Sequence, residues 1–249
     1  MSETLGSLLF AGKQPSLHCL KPLVWEMERV LGLGLQQRAQ IMLRFDAGFG
    51  TDANFNWVLW RGYQVVGKSY HGKRARKLAG LVTAWHEVGL ERWVAACPQP
   101  VRYGRRTQQA VLRWKTAKGK VRHAHLITSH LEWSLEQFVQ EYNDRAQMEK
   151  EIKADKSGLL VVKRRKRRLP AQEALVLLTD LAHNIAVWSK DWIFTDPRFA
   201  EYGVLRVVQD LLAIPGKITF RRGQMVTLQL NTLHPLAKPV LKGLAELFT

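Results

Sequence analysis

The sequence predicts an α/β fold, and three observations predict it. Short strand-like apolar runs alternate with helix-like patterns over residues 1–91. From about 92 to 130, Val101, Val111, Leu112, Trp114, Val121, Leu126 and Ile127 lie in short runs separated by Gly104 and Gly119, with weak helix signals. Helical patterning then resumes. Strand and helix alternating on either side of a β-rich insertion is the pattern of an α/β domain, and 249 residues with 46% apolar content suffice for a sizeable core.

Each element has a local cause. Residues 5–11 read as a short strand and Gly12 to Ser16 as a turn. Ser16 is placed to cap a helix to about Val30, which Leu-Gly-Leu-Gly ends because glycine accepts the left-handed conformation there. Gln40 to Phe45 reads as a short buried strand ending in Asp46, and Gly48 and Gly50 make the next loop tight. Asp52 then caps a helix through Arg61, stopped by Gly62. Gln64 to Lys68 is the next strand, and 73–87 a strongly basic helix. Lys118-Gly119 suits a hairpin turn within the insertion. A helix from about 133 to 156 follows, stopped by Gly158, and Pro170 opens an apolar helix through about Ser189. The tail reads as a helix near 200–213, a hairpin turning at Arg222-Gly223, and a last helix from about Pro235.

The net charge is +17. Such an imbalance costs self-repulsion and points to a polyanionic partner, nucleic acid first. Cys19 and Cys97 fit no zinc spacing and read as reduced cytosolic thiols. The N-terminus has no signal-peptide pattern, and the longest apolar stretch, Ala174 to Trp188, is interrupted by Asp180, His183 and Asn184. It is too short and too polar to span a bilayer, so no membrane partner is expected.

One stretch carries the functional reading. Tyr142, Arg145, Glu149 and Lys156 follow the spacing Tyr-x2-Arg-x3-Glu-x6-Lys. At 3.6 residues per turn they fall within about 60° of arc on one helix face. Leu135 and Phe138 lie on the same stripe, so the charges continue a core-directed face. Charges placed there are costly unless they meet each other, a metal or a ligand.

This pattern resembles bacterial insertion-sequence DDE transposases, the group defined by a Tyr-Arg-Glu-Lys signature at this spacing. Arg44-Phe45-Asp46-Ala47-Gly48-Phe49-Gly50 is similar to the family's segment around its second catalytic Asp. The resemblance implies a ribonuclease-H-like core over 1–91 and 131–190, a β-rich insertion over 92–130, and a mixed α/β accessory segment over 191–249. It implies metal-dependent phosphodiester cleavage and strand transfer. Asp46 and Glu149 would be catalytic and hold Mg²⁺ or Mn²⁺, and Tyr142, Arg145 and Lys156 would hold phosphates at the transposon end. Lys163, Arg164, Arg165, Lys166, Arg167 and Arg168 are six consecutive cations, suited to gripping the DNA backbone beside the site. The implied partners are double-stranded DNA ends and a second copy or full-length transposase, in the bacterial cytoplasm near the nucleoid.

The sequence also departs from the family. Those enzymes use three carboxylates, the first on the opening strand of the core, and no Asp precedes Asp46 here. The earlier acids are Glu3, Glu26 and Glu28, and Leu5 to Ser16 looks like the family's third strand and following turn. The expectation is a core lacking its opening strand, truncated at the N-terminus and inactive alone. An alternative is a non-catalytic DNA-binding fragment or regulator of a full-length transposase. A further rival is an unrelated basic protein that packages RNA.

Other motifs read more plainly. Gly62-Tyr-Gln-Val-Val-Gly67-Lys68-Ser69 matches a phosphate-loop pattern, but a helix precedes it and Gln64-Val65-Val66 is itself strand-like. His123 and His125 would share one strand face as an exposed or DNA-facing pair, and His183-Asn184 would be a core polar pair. Lys73, Arg74, Arg76 and Lys77, with Arg102, Arg105, Arg106 and Arg113, add basic charge, and Trp114 could stack on an unpaired base.

Overall fold

The computed structural model describes residues 3–10, 12–144, 150, 152–153, 156–159 and 166–247. They fall into two compact units, 10–147 and 1–9 with 148–249.

In the first unit a 3₁₀ turn, Ser16–His18, leads into α1 (Leu20–Leu31). The helix starts later than expected, with Cys19 at its N-cap and no side-chain cap, while Gly32, at φ 60°, ends it. A four-residue helix, α2 (Leu35–Arg38), precedes β1 (Met42–Phe45). The cap of α3 (Asp52–Trp60) is Thr51 rather than Asp52. Thr51 has the extended backbone that a cap needs, and its Oγ1 accepts from Asn54 N–H at 3.2 Å. Then come β2 (Gln64–Lys68) and α4 (Gly72–Ala79). The basic helix ends eight residues short of Glu87, where Gly80 caps it. The chain instead re-enters the sheet as β3 (His86–Gly89).

β4 (Arg92–Ala96), β5 (Gln108–Lys115) and β6 (Val121–Thr128) follow, then α5 (Leu135–Asn143) with Ser134 as its cap. Gly119, at φ 71°, supplies the β5–β6 turn. The six strands form one mixed sheet in the order β1-β2-β6-β5-β4-β3. β1 and β2 are parallel, and every other pair is antiparallel. The β-rich stretch therefore continues the sheet through the pairing of β2 with β6.

Strand alternation sorts side chains onto two faces. On one, Leu112, Ala124 and Leu126 pack with Phe138, Val139 and Tyr142 of α5. On the other, Val65 and Ile127 pack with Phe55, Val58, Leu59 and Tyr63. Phe55 and Phe138 are fully buried, each contributing about 2–3 kcal/mol of hydrophobic stabilisation. Gly67 lies inside β2, where a Cβ would come within 3.0 Å of the Phe45 carbonyl oxygen. The phosphate-loop pattern is thus a strand pressed against β1.

In the second unit, residues 3–9 do not form a strand. They lie extended along α6 (Leu169–Trp192), whose side chains take the role of a strand partner. Thr4 N–H donates to Asn184 Oδ1 and Asn184 Nδ2 donates to Thr4 O, both at 2.8 Å. Ser7 Oγ donates to Asp180 at 2.9 Å, and Trp188 Nε1 to Glu3 at 2.7 Å. His183 is buried as expected, whereas Asn184 is committed to this backbone clasp. The helix expected near 200–213 is shorter: α7 (Val204–Arg206) widens into a π turn, Val207–Leu211. The hairpin β7 (Gly216–Arg221) and β8 (Gln224–Leu230) turns at Arg222 and Gly223, both at positive φ, and α8 (Ala237–Leu247) closes the unit. Its core gathers Ala186, Phe194, Phe199, Val204, Val207 and Val240. Among the described residues no helix is long and apolar enough to cross a membrane.

Candidate active site

Asp46 directly follows β1, at the carboxyl end of the strand. Its Oδ1 accepts from Gly48 N–H at 2.8 Å, an Asx turn that opens the loop. Within that loop Gly50 N–H donates to Ala47 O at 3.1 Å and Thr51 N–H to Phe49 O at 2.9 Å. Gly50 is needed because the loop presses on β2: a Cβ there would stand 1.8 Å from the Lys68 carbonyl oxygen. Tyr70 N–H donates back to Gly50 O at 2.7 Å, so the loop is clamped to the end of β2.

Other acids of this unit are held by cations. Glu28 on α1 takes Arg38 at 3.1 Å, the Arg61 guanidinium, and the Tyr63 hydroxyl at 2.7 Å. Burial opposes the charge of Glu28, but the hydrogen bonds from Arg61 and Tyr63 outweigh it and hold the carboxyl below its ordinary range. Glu26 pairs with Arg29 at 2.6 Å. Asp52 receives Arg74 through two bonds, 2.8 and 2.6 Å, and the Tyr103 hydroxyl at 2.8 Å. Arg74 thereby holds Asp52 below the usual aspartate value. Among the described residues, no cation pairs with Asp46.

The end of the parallel pair is also where cationic and polar side chains gather. The register Phe45↔Gly67 sets Asp46 level with Lys68 on the neighbouring strand. Arg44, two residues before Asp46, reaches Glu141 of α5 at 2.5 Å and ties the last turn of that helix to β1. One residue on, Tyr142 helps to line a cavity of about 230 Å³ together with Lys68, Arg92, Trp114 and Asn143. Lys68 Nζ sits 5.6 Å from the Trp114 ring centroid, and Arg92 donates to Asn143 Oδ1 at 3.2 Å. Tyr142 is mostly buried, against Phe138 and Val139. The sequence alone does not single out Lys68, Arg92 and Asn143. Their convergence depends on the β2–β6 pairing and on where α5 packs, which no local motif encodes.

The remaining signature positions divide. Lys156 is exposed on a helical turn of the second unit, and Lys166, Arg167 and Arg168 are exposed ahead of α6. Arg145, Glu149, Lys163, Arg164 and Arg165 lie outside the described residues. Among the described residues no group of three His, Cys, Asp or Glu side chains gathers to hold a metal. A carboxylate at a strand end with no cationic partner among the described residues, as Asp46 is, suits a hard divalent cation as one oxygen ligand.

One of the two histidines of β6 departs from expectation. His125 is fully buried rather than exposed, with Nε2 3.0 Å from Gln109 Oε1. Burial, then the charge of Arg74, pushes it down to about 4, so it is neutral at physiological pH. Gln109 is pinned by Val101 N–H at 2.8 Å and by Val101 O at 2.6 Å, and this fixed amide fills the role expected of solvent.

Among curated proteins, none matches the chain. The family described as Transposase DDE domain group 1 matches residues 19–249, from the start of α1 through the C-terminal unit. A match of that extent covers both the six-stranded sheet with Asp46 at a strand end and the helices that follow it: the chain belongs to the transposase DDE domain family, group 1.

Proposed function

We propose that this chain is the ribonuclease-H-like domain of an insertion-sequence transposase of the Tyr-x2-Arg-x3-Glu-x6-Lys group, acting on transposon ends by phosphodiester cleavage and strand transfer. The observation that carries the reading is Asp46, free of any cationic partner among the described residues, at the carboxyl end of β1 and level with Lys68. Ligand sites in open α/β sheets gather at that end of the strands.

In this reading Asp46 and Glu149 hold Mg²⁺ or Mn²⁺, which when bound neutralises charge developing on the phosphodiester. The protein's own side chains supply the rest. The Asx turn fixes the Asp46 carboxylate, and the Gly50 clamp keeps it from swinging. Lys68 and Arg92, with the Tyr142 hydroxyl, position a backbone phosphate in the cavity beside Trp114. Arg145, Lys156 and the run Lys163 to Arg168 extend the grip along the DNA. Paramagnetic Mn²⁺ titrated into the full chain tests the assignment. Asp46→Asn and Glu149→Gln should each weaken binding about tenfold or more, and unchanged binding in both would sink it.

One observation favours a regulator that binds DNA without cutting it. The acids that precede Asp46 are all engaged: Glu3 by Trp188, Glu26 by Arg29, and Glu28 by Arg38 and Arg61. Among the described residues, none of these upstream carboxylates is left to act beside Asp46. On its own the chain is expected to bind duplex DNA with a log–log salt slope of about −5 to −7, for roughly 6–8 phosphates. It is also expected to leave supercoiled plasmid intact with Mg²⁺ or Mn²⁺. Metal-dependent nicking that Glu149→Gln abolishes would overturn the regulator and establish the nuclease.

A further inference from the structure

A basic concavity of the first unit lies on the α4 side of the sheet. A cavity of about 330 Å³ opens between α4 and the β5–β6 turn, lined by Lys73 and Arg76 on the helix and by Lys120, Arg122 and His123 on the hairpin. Lys73 and Arg76 are spaced three apart, so they project from one side of α4, while Ala75 and Leu78 bury the other. A second cavity, about 310 Å³, shares Gly72 and Lys73 with the first and continues it past His71 to Tyr70. Tyr70 is 54% exposed, an aromatic face offered to solvent at the end of the strip.

The charge here is uncompensated. Among the described residues no carboxylate pairs with Lys73, Arg76, Lys120 or Arg122. The one acid at the edge, Asp52, is occupied by Arg74 and Tyr103, so Arg74 is not counted. Beside His123, its cross-strand neighbour Arg113 is held between Trp85 and Trp93, its guanidinium carbon 4.4 and 4.7 Å from the two ring centroids. That clamp keeps a further positive charge in place, with no acid paired to it among the described residues. Burial, and then the charges of Arg113 and Arg76, hold His123 below its ordinary value.

We propose that this groove is a second nucleic-acid contact, separate from the Asp46 site, in which Lys73, Arg76, Lys120 and Arg122 follow the phosphate backbone of duplex DNA. The shape selects an extended polyanion over a single ion. Two adjoining concavities share a wall, and their cations are exposed, so a lone phosphate would stay hydrated while successive phosphates of one strand could each displace counterions. The choice of duplex DNA over other polyanions rests on the function proposed above. The groove contributes positioning and affinity, not sequence readout, because cations on phosphates carry none.

The test uses the full chain and a fluorescent random-sequence duplex, with affinity measured across a salt series. The combined variant Lys73→Gln, Arg76→Gln, Lys120→Gln and Arg122→Gln should lose at least tenfold in affinity at 0.1 M salt. Its salt slope should be shallower by about 3.5, since each of the four phosphates no longer neutralised removes roughly 0.9. The charge-keeping variant Lys73→Arg, Arg76→Lys, Lys120→Arg and Arg122→Lys should keep the wild-type slope. A Gln variant with the wild-type slope overturns the groove alone, leaving Mn²⁺ binding at Asp46 and Glu149 untouched. A wild-type chain that fails to bind duplex DNA overturns both readings. Should the Gln variant not fold, DNA-dependent protection of amides 72–79 and 119–123 against deuterium exchange in the wild type decides the point, and its absence overturns the groove. Tighter binding to anionic lipid vesicles than to duplex, lost in the Gln variant, would overturn the assignment to nucleic acid.

Discussion

Asp46 and Asp52 stand at opposite ends of one short glycine loop and have opposite fates. Asp52 lies in the first turn of α3, and its two oxygens are spent on Arg74 and Tyr103. Asp46 gives one oxygen to the Gly48 amide of its own loop, and no cation among the described residues takes the other. The first carboxylate fastens α3 to α4 and to the strand-linking segment that holds Tyr103. The second is positioned by backbone alone, which fixes its direction and leaves its charge for something else. Two acids of the same chemistry, six residues apart, are told apart by what the fold brings to meet them.

The largest expected effect is on the loop that separates them. Gly50→Ala should cost about 3 kcal/mol in urea unfolding, since its Cβ would overlap the Lys68 carbonyl and backbone cannot give way as a side chain can. A loss below about 1 kcal/mol would mean that the loop is not clamped to β2. Next, Asp52→Ala strands Arg74 and the Tyr103 hydroxyl and should cost about 2 kcal/mol. Asp46→Asn keeps the Asx turn, because an amide oxygen can accept from Gly48 N–H, and should cost less than about 0.5 kcal/mol. Equal losses at the two positions would erase the contrast. The smallest effect is a dependence on pH. Arg74 lowers the folded-state value of Asp52, so its stabilisation is complete above the ordinary 3.8 and is lost as acid carries the pH down through the folded value. The stability gap between wild type and Asp52→Asn should therefore be level from about pH 7 to pH 5 and close below about pH 4.

Much of this is legible in the chain itself. β1, β2 and the glycine loop are local: apolar residues of strand length, then Asp46, then glycines that permit a tight return. Gly119 and Gly223 mark the β5–β6 and β7–β8 turns for the same reason. The misses share a cause, which is that a distant residue decides them. Residues 3–9 have strand-like composition, yet their hydrogen bonds go to Asn184 and Asp180 on α6, more than 170 positions away. Thr51 caps α3 because its backbone is extended, while Asp52, already helical, is held by Arg74 from α4. His125 is buried because Gln109, held by Val101, reaches it from the adjacent strand. For the candidate site, Asp46 and Tyr142 can be read from their motifs, while Lys68, Arg92 and Asn143 become neighbours only through the antiparallel pairing of β2 with β6.

β1 borders its sheet: among the described residues it pairs with β2 and with no other strand. Gln64 N–H donates to Ile41 O at 3.0 Å, and alternation then turns the backbone groups of Leu43 and Phe45 toward β2 and those of Met42 and Arg44 outward. Four consecutive residues thus form a built-in reporter. In deuterium exchange the amides of Met42 and Arg44 should label quickly and those of Leu43 and Phe45 slowly, a comb of alternating teeth. Any strand that docks beside Asp46 would silence the fast teeth and leave the slow ones unchanged, so occupancy of this border could be read without a label, a substrate or a catalytic turnover.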